Sequence, residues 1–341
     1  MAATIKDIAR KLNISVSTVS YALNGGPRPV PDEVRARVLE VAKELNYRPS
    51  RIARSMITGR SQTIGIVPPE VSENVFLSPY LHQMINGIVN EAGKSHQDLL
   101  IFTRYSSTES EELMSVLVDG RVDGVVFIAP HFSHKSVEIA TSTHLPCVAV
   151  SGAPLKGIAS FTVNNEDGIR QAMQHLFDLG HRKIAHIAGR EDMLDSVLRL
   201  QAYRQFLADR GLQLNDQWVR FGEFQIDGGR RAFEEFAVMK DRPTAIVCSN
   251  DEMAIGAIHQ AHKMGFDIPG DMSIVGFDGT PSCESVYPAL TSVAQPISEL
   301  STAAVASLMS IIVGAQPQQS QVFNSRLEVR ASTSRPKEDS L

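Results

Sequence analysis

Cysteine is scarce in this chain. Its 341 residues hold 3, Cys147, Cys248 and Cys283, widely separated and in no C-x-x-C pair. That excludes a disulfide framework and a cysteine-zinc site. No G-x-G occurs, which removes the dinucleotide fingerprint, and no H-E-x-x-H occurs either. Gly93-Lys94-Ser95 resembles the end of a phosphate loop, but five residues separate it from Gly87 and the stretch closes an amphipathic helix instead of following a strand. His259 and His262 lie one helical turn apart without a third ligand, and His131 and His134 fall in a polar loop; both pairs read as surface histidines. Apolar runs stay far below the ~18 residues that cross a bilayer; Val125–Ala129, for instance, stops at Pro130. The opening MAATIKDIARKLNIS lacks the apolar core of a secretion signal. These absences predict a soluble cytoplasmic protein with no catalytic residue, metal site or cofactor.

What is present is unevenly charged. The net charge is −5, yet residues 1–60 carry eleven Lys and Arg against five Asp and Glu, a balance of +6 that leaves −11 for the rest. A basic head on an acidic body suits a phosphate-binding module on a soluble scaffold. A solvated charged helix face fits the same count. The length suggests two or three compact units.

The first sixty residues read as three helices. Thr4 caps a helix whose Ile5, Ile8, Ala9 and Leu12 recur at helical spacing. Asn13-Ile14-Ser15 breaks it, and Ser15 caps a second helix, Val16–Leu23, with Val19, Ala22 and Leu23 as its apolar stripe. Val16, Ser17 and Tyr21 therefore project elsewhere. Pro31 in the first turn and Asp32 and Glu33 beside it announce a third helix, with Val34, Val38, Val41, Ala42 and Leu45 inward. Two short helices and a tight turn match a helix-turn-helix, whose second helix enters the major groove. An ordinary three-helix bundle has the same periodicity.

The stretch from Thr4 to Val67, TIKDIARKLNISVSTVSYALNGGPRPVPDEVRARVLEVAKELNYRPSRIARSMITGRSQTIGIV, goes further. It resembles the head and hinge of the lactose-repressor (LacI) family of bacterial transcription regulators. The resemblance implies that Val16, Ser17 and Tyr21 read bases, with Thr4, Thr18 and Asn24 also at the DNA. It implies a hinge helix from Arg51 to Ile57, capped by Ser50, that forms when two subunits meet on DNA. Arg51 and Ala53 then lie against DNA, and Met56 occupies the position of an apolar wedge in the minor groove, where most relatives carry Leu. Gly25-Gly26-Pro27-Arg28-Pro29 makes the preceding loop longer and stiffer than in some relatives.

After Arg60 short apolar runs alternate with amphipathic stretches. Strands are expected at Ile64–Val67, Leu99–Phe102, Val125–Ile128, Cys147–Val150, Ile184–Ile187, Ala245–Cys248 and Ile274–Gly276. Between them fall helices at Leu81–Ala92, Glu109–Val118, Gly168–Leu179, Ser196–Arg210, Asp227–Val238 and Glu252–Met264. Such alternation predicts α/β architecture with parallel sheets. There are too many units for one ordinary sheet, so two lobes are expected, with a ligand cleft at the carboxyl ends of the strands.

HLFDLGHRKIAHIAG, SVLRLQAYRQFL, SNDEMAIGAIHQAHKMGFDIPGDMSIVGFDG, YPALTSVAQP and RLEVRASTSR resemble the family's effector domain, itself similar to periplasmic sugar-binding proteins. The resemblance implies a helix-turn-helix head over residues 1–48, a hinge over 49–60, and a two-lobed body over 61–341. The lobes comprise 61–160 with 292–321, and 161–291 with 322–333. Arg199 is implied as a ligand-binding arginine, Asn250 as a cleft amide, Asp278 as an acceptor of ligand hydroxyls, and Tyr80 and Phe224 as aromatic cleft positions. Ser151 stands where several sugar-binding relatives have Asp. The implied protein is a homodimeric repressor, binding a palindromic operator under control of a sugar or glycoside. A purine or sugar phosphate as effector is the alternative, and a transport-type sugar-binding protein a further one. The polar RASTSRPKEDSL carries no heptad, so a dimer is expected and not a coiled-coil tetramer. If Met56 is the wedge, Met56→Gly weakens binding to the specific operator far more than to non-specific DNA in titrations at fixed salt. Equal losses would remove the wedge.

Overall fold

The computed structural model describes residues 3–25, 28–48, 55, 58–69, 78–102, 116–130, 144–152, 157–316 and 319–337. The hinge positions Arg51, Ala53 and Met56, the expected helix Glu109–Val118 up to residue 115, and both His131 and His134 lie outside them. The chain divides into two compact units, Met1–Thr63 with Gly120–Asp123, and Ile64–Asp119 with Gly124–Leu341. The first unit extends past the expected boundary at Arg60 for a local reason. The Asp123 carboxylate accepts hydrogen bonds from the Ser61 amide (2.6 Å), the Ser61 hydroxyl (2.9 Å) and the Gln62 amide (2.8 Å).

In the first unit α1 (Ile5–Leu12), α2 (Val16–Asn24) and α3 (Asp32–Glu44) follow in order. The Thr4 amide and hydroxyl both donate to Asp7, closing the first turn of α1, and Asn13 ends that helix at φ 54°. Ser15 caps α2 by accepting from the Thr18 amide at 3.0 Å. Pro31 precedes α3 as its N-cap and is not in the first turn, because the helical dihedrals begin at Asp32. Ile8, Val19 and Val38 are fully buried and form the centre of the three-helix core. Each such side chain contributes roughly 1.5–3 kcal/mol by leaving water. An ion pair between Lys11 and Glu44 ties α1 to α3.

The second unit is α/β and built on two six-stranded sheets. The first contains β1 (Thr63–Val67), β2 (Asp98–Ile101), β3 (Gly124–Ile128), β4 (Cys147–Val150), β5 (Ala159–Val163) and β11 (Gln321–Phe323). The second contains β6 (Ile184–Ala188), β7 (Val219–Phe221), β8 (Ala245–Cys248), β9 (Ser273–Asp278), β10 (Thr291–Ala294) and β12 (Arg326–Glu328). Their orders are β11-β5-β4-β3-β1-β2 and β12-β10-β9-β8-β6-β7. The pairing is parallel through the middle of both sheets, and β12 joins β10 antiparallel. Helices α4 (Pro79–Lys94) and α10 (Ile297–Ile312) pack with the first sheet. Helices α5 (Asn165–Leu179), α6 (Leu194–Asp209), α7 (Ile226–Ala237) and α8 (Asp251–Lys263), with the single turn α9 (Ser282–Ser285), belong to the second.

The lobe boundaries differ from the sequence reading. β5 runs to Val163 and stays in the first sheet, so the crossover lies after it and not at 160. β10 lies in the second sheet, so the chain returns after Ala294 and not at 291; it crosses again between β11 and β12. β10 escaped notice because its buried residues include Thr291 and Ser292, polar side chains with no apolar-run signature.

Two histidines are enclosed in the second lobe. His181 places Nδ1 2.8 Å from the Thr244 hydroxyl and Nε2 2.9 Å from the Ser334 carbonyl. His186 stacks on Tyr203 with centroids 4.9 Å apart and meets the Ser249 hydroxyl at 3.0 Å. Burial pushes both imidazoles down, to about 4 and about 3. The unfolded chain takes up these protons near pH 6.5 while the folded chain does not. Their stabilisation is therefore complete above that pH and is lost as pH falls toward the folded values. For His181 the loss amounts to about 3 kcal/mol. Denaturant titrations of the native protein and His181→Gln between pH 7.5 and 4 should show a steeper decline for the native chain; parallel profiles would refute a neutral, buried His181.

Candidate functional site

The site is set by where strands end. Ala129 follows β3, Ser151 follows β4, Phe224 follows β7, and Asp278 is the last residue of β9. All four are non-glycine residues at positive φ, 44°, 60°, 60° and 126°. Such backbone is strained and persists only where its surroundings impose it, a concentration typical of functional sites. It occurs at the carboxyl ends of parallel strands, where open α/β sheets bind ligands.

A cavity of about 380 Å³ opens there. Tyr80, Arg199, Phe224, Asn250 and Asp278 all line it. Ser151 is not on the wall. It lies behind Tyr80, its buried hydroxyl hydrogen-bonded to the phenol. Burial raises the Tyr80 phenol well above its ordinary range, so it stays a neutral donor and acceptor.

Arg199 on α6 is only 4% exposed. Its Nε donates to Asn165 Oδ1 at 2.7 Å and its Nη1 to the Ser249 carbonyl at 2.5 Å. The guanidinium lies 3.7 Å from the centroid of the Phe277 ring, and Nη1 is 3.9 Å from Asp278 Oδ1. Burial and the nearby Asp251 push the Asp278 carboxyl upward, and Arg199 opposes that rise. Gln295 donates to Asp278 Oδ1 at 2.7 Å. The other end of that amide, Oε1, is buried without a partner among the described residues.

Asn250 has a more structural place than expected. Its Oδ1 caps α8 by accepting from the Met253 amide at 3.0 Å, and its Nδ2 donates to the Phe224 carbonyl at 3.1 Å. It thereby holds the strained turn that presents the Phe224 ring. That ring packs with the cores of both lobes. It fits because residue 189 is glycine, where a β-carbon would overlap it. Behind Asn250, Asp251 is fully enclosed. It accepts from the Ser292 hydroxyl (2.5 Å), the Thr280 amide (2.8 Å) and hydroxyl (3.0 Å), and the Cys283 thiol (3.1 Å). These bonds offset its desolvation and knit α8 to β10 and to the loop after β9.

Sequence reasoning missed Asp195, Glu252 and Gln295, which also line the cavity. Asp195 precedes the motif SVLRLQAYRQFL, and Gln295 lies inside YPALTSVAQP, so family motifs pointed near both. Asp195 accepts from Asn165 at 2.8 Å and from the Gly152 amide at 3.0 Å. Glu252 accepts from the Ser78 hydroxyl at 2.8 Å. Gly152 and Ser78 belong to the first lobe and the carboxylates to the second. The two bonds therefore clasp the lobes across the cavity. Burial raises the Glu252 carboxyl.

In the head, Val16 and Ser17 are exposed at the start of α2, and Thr18 and Tyr21 are half-buried beside them. The Thr18 hydroxyl is 2.8 Å from that of Ser15, and the Thr4 hydroxyl bonds Asp7, so both also serve their helix caps. Asn24 is partly buried at the end of α2, with Oδ1 unpartnered among the described residues.

Comparison with known proteins agrees with both units. Residues 4–50 match the model for bacterial regulatory proteins of the lacI family, and residues 173–333 match a periplasmic binding protein-like domain. Catabolite control protein A of Priestia megaterium is 31% identical over 98% of this chain and 100% of its own length. The structure of a transcriptional regulator CelR–cellobiose complex is 29% identical with a TM-score of 0.74, covering 97% of this chain and 99% of that one. The lac repressor dimer bound to operator and the anti-inducer ONPF is 25% identical with a TM-score of 0.85, covering 98% and 100%. With its head, its two-sheet body and relatives matched end to end, the chain belongs to the LacI family of bacterial regulatory proteins and is a DNA-binding regulator of transcription.

Proposed function

We propose that this regulator is a cytoplasmic, non-enzymatic homodimeric repressor whose effector is a sugar or glycoside held in the cavity between the lobes. One observation carries the reading: five of the six residues that the family resemblance marks as cleft positions line a single cavity at the strand ends. Phe224 offers a face for the C–H side of a sugar ring, and Tyr80, Asp278 and Gln295 offer directional partners for hydroxyls. The similarity to a regulator in complex with cellobiose adds support. The exposed start of α2 is the base-reading surface, with Val16, Ser17 and Tyr21 as the specificity set and Thr4, Thr18 and Asn24 beside it. Arg51, Ala53 and Met56 complete the DNA contact. The effector changes the relation of the lobes, and with it the spacing of two heads on a palindromic operator.

A thermal-melt screen of the full chain against monosaccharides, disaccharides and purines tests the reading. A bound sugar at a hundredfold excess over Kd adds about 2.7 kcal/mol and raises the melting temperature. Asp278→Asn should abolish the shift. A shift that survives Asp278→Asn would move the site elsewhere, and shifts with purines alone would replace the sugar. In the head, Tyr21→Ala should reduce operator affinity at least tenfold while the sugar-induced shift persists. Unchanged operator binding would contradict the assignment of α2.

A further inference from the structure

The cavity wall has a lopsided charge. Its described residues include four carboxylates, Asp195, Asp227, Glu252 and Asp278, against two guanidiniums, Arg199 and Arg230. Both guanidiniums are held by the protein, Arg199 through Nε and Nη1 only. Arg230 donates to Asp227 at 2.8 Å, and Arg199 is held by Asn165, the Ser249 carbonyl and Asp278. Asp195 and Glu252 receive hydrogen bonds only from neutral groups among the described residues, namely Asn165 and Gly152 for the first and Ser78 for the second. Neither carboxylate forms an ion pair among the described residues. A second observation points the same way: Gln295 is 9% exposed, lines the cavity and has an Oε1 unpartnered among the described residues. Among the described residues the wall thus offers acceptors and an excess of two carboxylates over guanidiniums.

We infer that the cavity selects its effector by charge, taking an uncharged polyhydroxylated ligand and rejecting its phosphorylated or carboxylated counterpart. This rests on the cavity being the effector site and adds to it the class of ligand. A hydroxyl donates to Gln295 Oε1 and to the carboxylates. A phosphate has no donor to offer, and Asp195 and Glu252 repel it inside a wall of low polarisability, where such repulsion is worth more than in water.

The test reads charge without needing the effector. Ile226, which is 37% exposed on the wall, is replaced by cysteine in the full-length protein. The unmodified chain serves as blank, since Cys147, Cys248 and Cys283 are buried. The rates with a trimethylammonium-ethyl and a sulfonato-ethyl methanethiosulfonate are compared, each relative to a free thiol. The cation should react about tenfold faster or more, and Asp195→Asn with Glu252→Gln should bring the ratio toward one. Equal rates, or a faster anion, would overturn the inference; a ratio unmoved by the double substitution would overturn the role of these carboxylates. Calorimetry with glucose and glucose 6-phosphate, ribose and ribose 5-phosphate, and adenosine and its monophosphate supplies the ligand arm. In any pair that binds, the neutral member should be at least tenfold tighter, and a tighter phosphate would overturn the inference. No sugar binding alongside a preserved rate ratio would sink the sugar reading and leave the charge selection standing.

Discussion

Arg199 holds a positive charge almost out of water, and much of the regulatory body is arranged around that constraint. A buried guanidinium must have its hydrogen bonds and charge matched or the fold loses several kcal/mol. Asn165 at the start of α5, the Ser249 carbonyl beyond β8 and Asp278 at the end of β9 supply the match, while Phe277 lies under the cation. One side chain on α6 thus fixes the tips of several elements. The chain of contacts continues from Asn165 to Asp195, and from Asp195 to the Gly152 amide in the other lobe. A group entering the cavity beside Arg199 meets atoms that already join the lobes.

That continuity would give the proposed effector a route to the shape of the body. The Gly152–Asp195 and Ser78–Glu252 bonds cross the cleft, and Phe224 packs with both lobe cores. Hydrogen bonds to carboxylates contribute about 1.5–3 kcal/mol each, small enough to exchange for contacts with a ligand. The strained backbones at Ala129, Ser151, Phe224 and Asp278 lie at the same rim. A packed body with a few exchangeable cross-lobe bonds suits a protein that must hold two arrangements close in free energy.

Much of this was legible in the sequence, for identifiable reasons. Ser15, Asn13 and the spacing of Ile8, Val19 and Val38 announced the head because caps and apolar period agreed. Cys147–Val150 and Ala245–Cys248 matched their strands residue for residue, being short apolar runs bounded by breaks. β10 did not announce itself: Thr291 and Ser292 are buried, the Thr291 hydroxyl accepting from the Arg330 amide and the Ser292 hydroxyl donating to Asp251, and a satisfied polar core residue reads like loop. The cavity lining followed family motifs and not local pattern. Asp195 and Glu252 look in sequence like ordinary acidic residues in the first turn of a helix, and only their partners across the cleft distinguish them. Asn250 could be placed at the cleft, but its capping of α8 depended on the neighbouring turn.

The central claim is that cavity and head are energetically coupled. The most direct measurement is a thermodynamic cycle on the full-length protein, with operator affinity determined with and without the bound sugar, and sugar affinity with and without operator. The account predicts a change of at least fivefold in each, equal in size because binding linkage is reciprocal. A sugar that binds the cavity tightly and leaves operator affinity unchanged would contradict it.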